Sequence, residues 1–392
     1  HSLERQEPRP RVRSIRRPSS TKSSMPMGTP LVFAPAAGRP HLATIVVLHC
    51  FTWSGREMAV YRLPRLRAAM PSSVFNCMRV VFLSAPHRPI TCFGGRITPS
   101  WHDYFTDHGG PEGQPNLEEE INVEHLAWSR SQVHAALDDE LARLGVAAPG
   151  KLALLGESQG ACVALDAALT YPSNNLLAGV FASYGMLYSH SRLPAESKRL
   201  PVSAFIGAGD RCIGAGLSLH SFGRMLEAGY SNVHVEVAPR LPHVYEPAAG
   251  ETDLEYASIA RAFDRWGLST VSSLESKAAA HTAARAPLDT AEMTGSLSAA
   301  AISPSDEAQN AVTLSSPAGS GAAAASQPSL DGLQPVPPWQ HMPEPERRPP
   351  PVPSPELLAL VDEAEHRGAE EARAREEADR GEDELVCVGA SP

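Results

Sequence analysis

Residues 151–170 read KLALLGESQGACVALDAALT and decide how the rest of the chain is interpreted. A short apolar run, residues 152–155, predicts a buried strand that stops at Gly156. After Ser158, a run rich in Ala and Leu predicts a helix. The pattern between strand and helix is Gly-x-Ser-x-Gly. A Cβ atom at Gly156 or Gly160 would crowd the neighbouring strand and helix, which explains the spacing.

The chemistry of this turn indicates that Ser158 is a nucleophile. Strand, Gly-x-Ser-x-Gly and helix in this order form the nucleophile elbow of an α/β-hydrolase, whose strained turn lifts the serine above the sheet. The helix begins beside the serine, so its positive end faces the negative charge that develops during acyl transfer. Because Gly-x-Ser-x-Gly alone also occurs by chance, the interpretation needs an acid and a histidine later in the chain. It predicts an α/β fold with a mostly parallel central sheet flanked by helices.

Composition divides the 392 residues into one globular region and two extensions. Patterned hydrophobic sequence covers residues 41–268, which is enough for a sizeable core. We predict that residues 1–40 are a disordered basic arm. We predict that residues 269–355 are a disordered tail rich in Ala, Ser and Pro, because it has too little apolar area to offset its ordering entropy. Residues 356–392 are charged and are expected to be partly helical.

The extensions suggest partners without defining one. The basic arm suits an anionic lipid, a nucleic acid or a targeting role, but a solvated arm is the simpler interpretation, and we expect no nucleic-acid partner. Residues 334–355 are Pro-rich and should favour polyproline II, which fits an SH3 or WW domain as well as an unbound spacer. The sequence opens on His1, and we expect the native start upstream of it or at Met25 or Met27.

Charge and cysteine usage bound the class of protein further. The net charge of −10 says little about partners, because the acidic residues concentrate near the C terminus. The six cysteines occur singly, without the Cys-x-x-Cys pair of a zinc or thioredoxin site. No secretory signal is visible, and no apolar run is long enough to span a bilayer. We therefore expect a cytoplasmic protein that needs no metal or other cofactor.

A β-branched run at residues 44–49 predicts a strand near the start of the globular region. A loop follows, and then a helical stretch at residues 56–70 that contains a proline. In α/β-hydrolases the loop after this strand supplies one backbone donor to the oxyanion hole. Our candidate donors are the N–H groups of Phe51 and Gln159. Cys50 is a poor candidate nucleophile because it lies on no strand-to-helix turn.

Another strand is predicted at residues 79–84, and a long loop with aromatic residues, two glycines and several histidines follows it. Long loops in compact domains usually carry function, and we expect Trp101 to line a substrate pocket. The alternative, a metal cluster, would use His87, His102, Asp103, Asp107 and His108. These residues lack the spacing of two histidines on one helical face, so the pocket is preferred. Residues 117–144 are amphipathic and predict the crossover helix before the serine.

An acid and a base follow Ser158 in the required order. A strand predicted at residues 201–207 leads into Asp210, which would orient a histidine and stabilise its imidazolium form. A turn aspartate paired with the neighbouring arginine is the alternative. A strand predicted at residues 233–237 leads into His243, which lies in the loop before the last helix, where the base belongs. The rivals of His243 are His190, His220 and His234.

Five motifs then carry a family resemblance. In order they are Leu48-His49 with its loop, Ala85-Pro86-x-Arg88-Pro89-Ile90-Thr91 with Gly94-Gly95 and Trp101, Gly156-x-Ser158-Gln159-Gly160, Gly209-Asp210 and His243. With them, residues 44–266 resemble the acyl-protein thioesterase and lysophospholipase branch of α/β-hydrolases, the phospholipase/carboxylesterase family. Two departures are Cys50, where the family has glycine, and Glu157, where these thioesterases commonly have an aromatic residue.

The resemblance implies that Ser158, Asp210 and His243 are nucleophile, acid and base, with Phe51 and Gln159 as oxyanion donors. The implied function is hydrolysis of a carboxylic ester or acyl thioester through an acyl-serine intermediate. The substrate would be an S-acylated protein or a lysophospholipid. The alternatives are a carboxylesterase for small soluble esters, and a non-catalytic scaffold whose Pro-rich tail recruits partners.

Overall fold

The computed structural model describes residues 26–110, 113–145, 149–243, 247 and 252–275, together with residues 359, 362, 370 and 373. In chain order the strands are β1 Gly28–Phe33, β2 Ala43–Leu48, β3 Met78–Ser84, β4 His87–Ile90, β5 Arg96–Pro99, β6 Leu152–Glu157, β7 Leu177–Ser183, β8 Val202–Gly207 and β9 Val233–Ala238. The α-helices are α1 Gly55–Ala68, α2 Ser72–Phe75, α3 Val123–Leu144, α4 Gln159–Thr170, α5 Ala215–Glu227 and α6 Leu254–Arg265.

Seven strands form one sheet in the order β1-β3-β2-β6-β7-β8-β9. All neighbouring pairs are parallel except β1 and β3, which are antiparallel. Strand β6 lies between β2 and β7 near the middle of the sheet, so the serine that follows β6 emerges at the centre of its carboxyl edge. This arrangement confirms the predicted mostly parallel α/β fold.

Helices cover both faces of the sheet. All six residues of β2 are buried, as expected for a parallel strand that is covered on both sides. Ile45 and Val47 belong to one apolar layer, which includes side chains of α1 and α6. Val46 and Leu48 belong to the other layer, which includes side chains of α3 and α4. Successive side chains of β2 therefore point to opposite faces of the sheet and contribute to two separate cores.

Helix α4 runs directly behind the serine and is apolar on nearly every side. Its residues from Gln159 to Leu169 are all buried. The amphipathic helix α3 packs outside it and places Val133 and Leu137 in the shared core. The start of α3 differs from the prediction, since the helix begins at Val123 and not at residue 117. The Asn122 side chain accepts two first-turn N–H groups there and caps the helix.

The N-terminal arm requires a correction. We predicted that residues 1–40 are disordered, but residues 28–33 form β1 on the edge of the sheet. Leu31 and Val32 explain the difference, because both become buried when β1 pairs with β3. Residues 1–25 lie outside the described residues.

The globular region also extends past residue 268, since Leu274 is fully buried. The predicted Pro-rich tail and all but four residues of 356–392 lie outside the described residues. One of those four, Asp362, forms a 2.7 Å ion pair with Arg56 in α1. The pair is exposed and belongs to a kind that contributes little to stability. None of the described helices is long and apolar enough to cross a membrane.

Candidate active site

Ser158 occupies a strained turn between β6 and α4. Its backbone has φ 55° and ψ −120°, a left-handed conformation that is costly for a residue with a side chain. A Cβ atom at Gly156 would collide with the backbone of Gly160 and Ala161. One at Gly160 would collide with the backbone carbonyls of Leu48 and His49. The two glycines therefore let strand, turn and helix approach closely enough to hold the serine in this conformation.

The structure brings Ser158, His243 and Asp210 together in one line of hydrogen bonds. The Ser158 Oγ lies 2.7 Å from His243 Nε2, and His243 Nδ1 lies 2.7 Å from Asp210 Oδ2. The other oxygen of Asp210 accepts the backbone N–H groups of Cys212 and Ile213, at 2.8 and 2.9 Å. Because the aspartate can only accept, Nδ1 carries the proton. Nε2 is then free to accept the serine hydroxyl.

The alternatives left open for the acid and the base find no support in this geometry. Asp210 pairs with His243, and among the described residues it forms no ion pair with Arg211. His190 and His220 are exposed, and His234 lies within β9. None of these three histidines contacts Ser158 among the described residues.

The two candidate oxyanion donors lie at the ends of neighbouring elements. Gln159 is the first residue of α4, where a backbone N–H has no acceptor within the helix. The Phe51 N–H forms no hydrogen bond with any described residue, whereas the next N–H, that of Thr52, donates to Pro99. Thr52 has φ 71°, so the strain that a glycine could absorb falls here and not at Cys50.

His49 fixes the conformation of the Phe51 loop. Its Nε2 accepts the N–H of Ala85 at 2.8 Å, so Nδ1 must carry the proton that it donates to the Cys50 carbonyl. Burial lowers the pKa of His49 to about 4, which keeps the ring neutral. His49 is therefore a support of the loop.

Trp101 requires a correction. We expected it to line a substrate pocket, but it is fully buried. Its indole N–H donates to the His49 carbonyl at 2.8 Å, and its backbone N–H donates to the Gln159 side chain at 2.9 Å. Trp101 and the Gln159 amide thus hold the Phe51 loop against the start of α4, a role for the Gln159 side chain that the sequence did not reveal.

Other aromatic side chains stand beside the candidate oxyanion hole. The Phe51 ring stacks on Phe93, with centroids 5.7 Å apart, and meets Tyr104 edge to face at 5.4 Å. Phe93 belongs to the turn between β4 and β5, a hairpin inside the long loop that was predicted after β3. These rings form an apolar wall beside the backbone of the Phe51 loop.

The metal cluster considered for this loop is not assembled among the described residues. His102 lies 2.7 Å from the Tyr188 hydroxyl, and Asp103 accepts the backbone N–H and the hydroxyl of Thr91. Burial lowers the pKa of His102 to about 3, so this ring is a neutral core residue. A different set, Asp210, Cys212 and His243, comes close enough to share an ion.

A buried ionic cluster lies behind the serine and was missed in the sequence. Arg62 in α1 contacts Glu157, the residue before Ser158, at 2.6 Å, and both side chains are at least 93% buried. Arg65 binds Asp253 and Glu255 at the start of α6. The sequence feature that could have indicated the cluster is Glu157, a charged residue in an otherwise apolar strand.

The charges of this cluster balance when Glu255 is neutral. Burial raises the pKa of Glu255 to about 8. The nearby carboxylates of Glu157 and Asp253 add to the shift, and Arg62 opposes it. The two arginines then face the carboxyl groups of Glu157 and Asp253. The cluster ties together the helix after the Phe51 loop, the strand before the serine and the helix after His243.

A mostly parallel sheet with a serine on the tight turn between its central strand and the next helix defines an α/β-hydrolase. The chain belongs to the phospholipase/carboxylesterase family, whose model matches residues 32–236.

Curated relatives match part of the chain. It is 31% identical over 160 residues to acyl-protein thioesterase 1 of Schizosaccharomyces pombe, a match that covers 41% of this chain and 63% of the relative. It is 30% identical over 175 residues to a protein of Oryza sativa subsp. japonica named probable inactive carboxylesterase, covering 43% of this chain and 65% of the relative. The matches thus span somewhat less than two thirds of these relatives.

Among solved structures, the crystal structure of SOBER1 from Arabidopsis thaliana is similar to this one. The alignment covers 57% of this chain and 98% of the SOBER1 chain. The identity is 24% and the TM-score 0.48.

Proposed function

We propose that the chain is a serine hydrolase that cleaves carboxylic esters or acyl thioesters through an acyl-serine intermediate. The observation that carries this proposal is the continuous hydrogen-bonded line from Ser158 through His243 to Asp210. A scaffold needs neither of these two hydrogen bonds, and backbone strain of the kind found at Ser158 is concentrated at functional sites. Family membership adds to the proposal.

In the first half of the reaction, His243 Nε2 takes the proton of Ser158 as its Oγ attacks the acyl carbonyl carbon. Asp210 holds the Nδ1 proton and stabilises the imidazolium that forms. The N–H groups of Phe51 and Gln159 bind the oxyanion of the tetrahedral intermediate. The imidazolium then returns its proton to the alcohol or thiol that leaves, and the acyl group stays on Ser158.

In the second half, His243 takes a proton from water, which attacks the acyl-serine. The intermediate collapses with release of the carboxylic acid, and the proton returns to Ser158 Oγ. Every proton transfer in both halves of the reaction uses Nε2 of His243.

Two observations favour a fatty acyl group as the substrate's acyl part. The aromatic wall of Phe51, Phe93 and Tyr104 is apolar, and one relative is named an acyl-protein thioesterase. A small soluble ester is the second candidate, because another relative carries the name carboxylesterase. A third possibility, a non-catalytic scaffold, is raised by the relative named inactive.

A chain-length series separates these candidates. Hydrolysis of p-nitrophenyl esters and of acyl thioesters should be measured for the wild type and for Ser158→Ala. We expect higher kcat/KM for long acyl chains and a loss of at least 10³-fold in kcat for Ser158→Ala. A preference for acetyl esters would favour the small-ester alternative. Equal rates for wild type and variant would overturn the proposed nucleophile.

A further inference from the structure

Three side chains of different chemistry meet beside the hydrogen bond between His243 and Asp210. The Asp210 carboxylate, the Cys212 thiol and the His243 imidazole each place a ligand atom within 4.8 Å of the other two. Asp210 is buried, His243 is half-buried and Cys212 is exposed, so the set is anchored on one side and open to solvent on the other. Within the described part of the chain, no other three His, Cys, Asp or Glu side chains come close enough to share a metal ion.

We propose that Asp210, Cys212 and His243 bind a divalent cation of the zinc class, and that the bound ion switches the hydrolase off. The inhibition rests on the proposed function, because it needs His243 as the base. The binding itself does not.

The donor set selects the kind of ion. Thiolate sulfur, imidazole nitrogen and carboxylate oxygen are the three ligand types that Zn²⁺ takes, and an accessible site commonly has three protein ligands and one open position. Mg²⁺ and Ca²⁺ prefer oxygen ligands alone. Bonds of roughly 2.0–2.3 Å place the ligand atoms of a tetrahedral site roughly 3.3–3.8 Å apart. The three atoms lie within 4.8 Å of one another, so none of their separations needs to change by more than about 1.5 Å to hold the ion.

The surroundings of Cys212 favour a cation over a free thiolate. The carboxylates of Asp210, Asp107 and Glu119 lie around its thiol. The same negative charges attract a divalent ion. On binding, the thiol proton passes to solvent, and if Nδ1 is the imidazole ligand its proton moves to Nε2. Sulfur, nitrogen and oxygen then each donate a lone pair without any change of oxidation state.

Occupation of this site is incompatible with the proposed catalysis. Both nitrogens of His243 are engaged at 2.7 Å, Nε2 by Ser158 and Nδ1 by Asp210. Whichever nitrogen binds the ion, one of these hydrogen bonds is lost. The imidazole then either cannot accept the serine proton or loses the aspartate that orients it. Removal of the ion restores the line of hydrogen bonds, so the inhibition is reversible.

Binding is tested first, without any activity measurement. The full chain, free of affinity tags and treated with a chelator, is titrated with Co²⁺ while the thiolate-to-cobalt charge-transfer absorption is recorded. We expect a band that saturates at one equivalent, is displaced by Zn²⁺ and is absent in Cys212→Ser. Cys92→Ser, which changes another partly exposed cysteine, and Ser158→Ala should keep the band. No thiolate band in the wild type, or an unchanged band in Cys212→Ser, overturns the site.

Inhibition is tested second, with each variant compared with its own metal-free rate. Zn²⁺ should lower ester hydrolysis by the wild type, and EDTA should restore it. Cys212→Ser should need at least tenfold more Zn²⁺ for half-inhibition, whereas Cys92→Ser should match the wild type. Equal sensitivity of Cys212→Ser overturns the inhibitory role. If the metal-free wild type hydrolyses no ester, the proposed function fails, while the cobalt titration still decides whether the site exists.

Discussion

At the scale of single residues, the buried pair of Arg62 and Glu157 shows how a charge can be placed directly behind a nucleophile. The two side chains are 2.6 Å apart and almost without solvent contact. A buried ion pair of this kind adds little to stability when it is compared with a well-packed apolar pair. Loss of one partner is costly, however, because the other charge stays buried without it. The pair therefore constrains the backbone at Ser158 through the residue that precedes it.

We predict that Glu157→Gln lowers the free energy of unfolding by about 3–5 kcal/mol, because buried Arg62 loses the carboxylate that it contacts. Urea denaturation followed by circular dichroism measures the change. The matched control is Glu236→Gln, which removes the partner of Arg261 in an exposed pair. That variant should cost less than about 1 kcal/mol. Equal effects of the two variants would contradict the role given to burial.

The residues of the candidate site differ in how far the sequence predicted them. Ser158, Asp210 and His243 follow recognisable strands, and the carboxyl ends of parallel strands meet at one edge of a sheet. Their convergence is thus visible before the fold is known. The partner of Glu157 was not predictable, because Arg62 is 95 residues away and its helix gives no sign of facing the elbow. Trp101 was misplaced for a similar reason, since it packs against His49 and Gln159, which are distant from it in the sequence.

At the scale of elements, the close packing of α4 against β2 sets the position of the nucleophile. Gly160 faces the carbonyls of Leu48 and His49 so closely that no side chain fits. Any displacement of α4 moves the Gln159 N–H and Ser158 together, away from the Phe51 loop. The sequence indicated this packing through the two glycines of the motif. It did not indicate the β4–β5 hairpin, in whose two short strands exposed and buried residues are mixed.

A pair of glycine substitutions tests this packing. Gly160→Ala should lower the free energy of unfolding by more than about 2 kcal/mol and reduce kcat in the folded fraction, because its methyl group displaces α4. Gly223→Ala in α5, where nothing lies within 4 Å of the added methyl group, should stabilise the protein by about 0.5–1 kcal/mol. Thermal denaturation and ester turnover report both effects. A stable, fully active Gly160→Ala variant would argue against the described contact.

At the scale of the whole molecule, buried neutral histidines make the fold sensitive to acid. Burial lowers the pKa of His49 to about 4 and that of His102 to about 3, from an ordinary value of 6.5. Above pH 6.5 these two imidazole rings are neutral in both the folded and the unfolded chain. As the pH falls below 6.5, the unfolded chain binds protons that the folded chain does not, so stability is lost on acidification. His41 and His125 act in the same direction, whereas Glu255 acts in the opposite one.

A single variant isolates one of these contributions. The difference in unfolding free energy between the wild type and His102→Gln should change by about 1.4 kcal/mol per pH unit between pH 6 and pH 4, in favour of the variant as the pH falls. Urea denaturation at several pH values measures this slope. His190→Gln, at an exposed position, should leave the slope unchanged. A constant difference between the wild type and His102→Gln would mean that His102 is protonated in the folded chain.

The boundaries of the whole globular region were the least predictable feature. The edge strand β1 and the buried Leu274 both lie outside residues 41–268, in segments whose composition resembles that of the extensions. Their order comes from the apolar surface that the rest of the fold offers them. That surface exists only after the sheet has formed, so the local sequence of these two segments does not predict that they are ordered.

The central claim is that Ser158 is a nucleophile activated by His243. The most direct measurement is mass spectrometry of the full chain after reaction with a fluorophosphonate probe. We predict one adduct, mapped to the peptide that contains Ser158, which is absent in Ser158→Ala and forms at least 10²-fold more slowly in His243→Gln. No adduct on the folded wild-type protein, or an adduct that persists in Ser158→Ala, would contradict the claim.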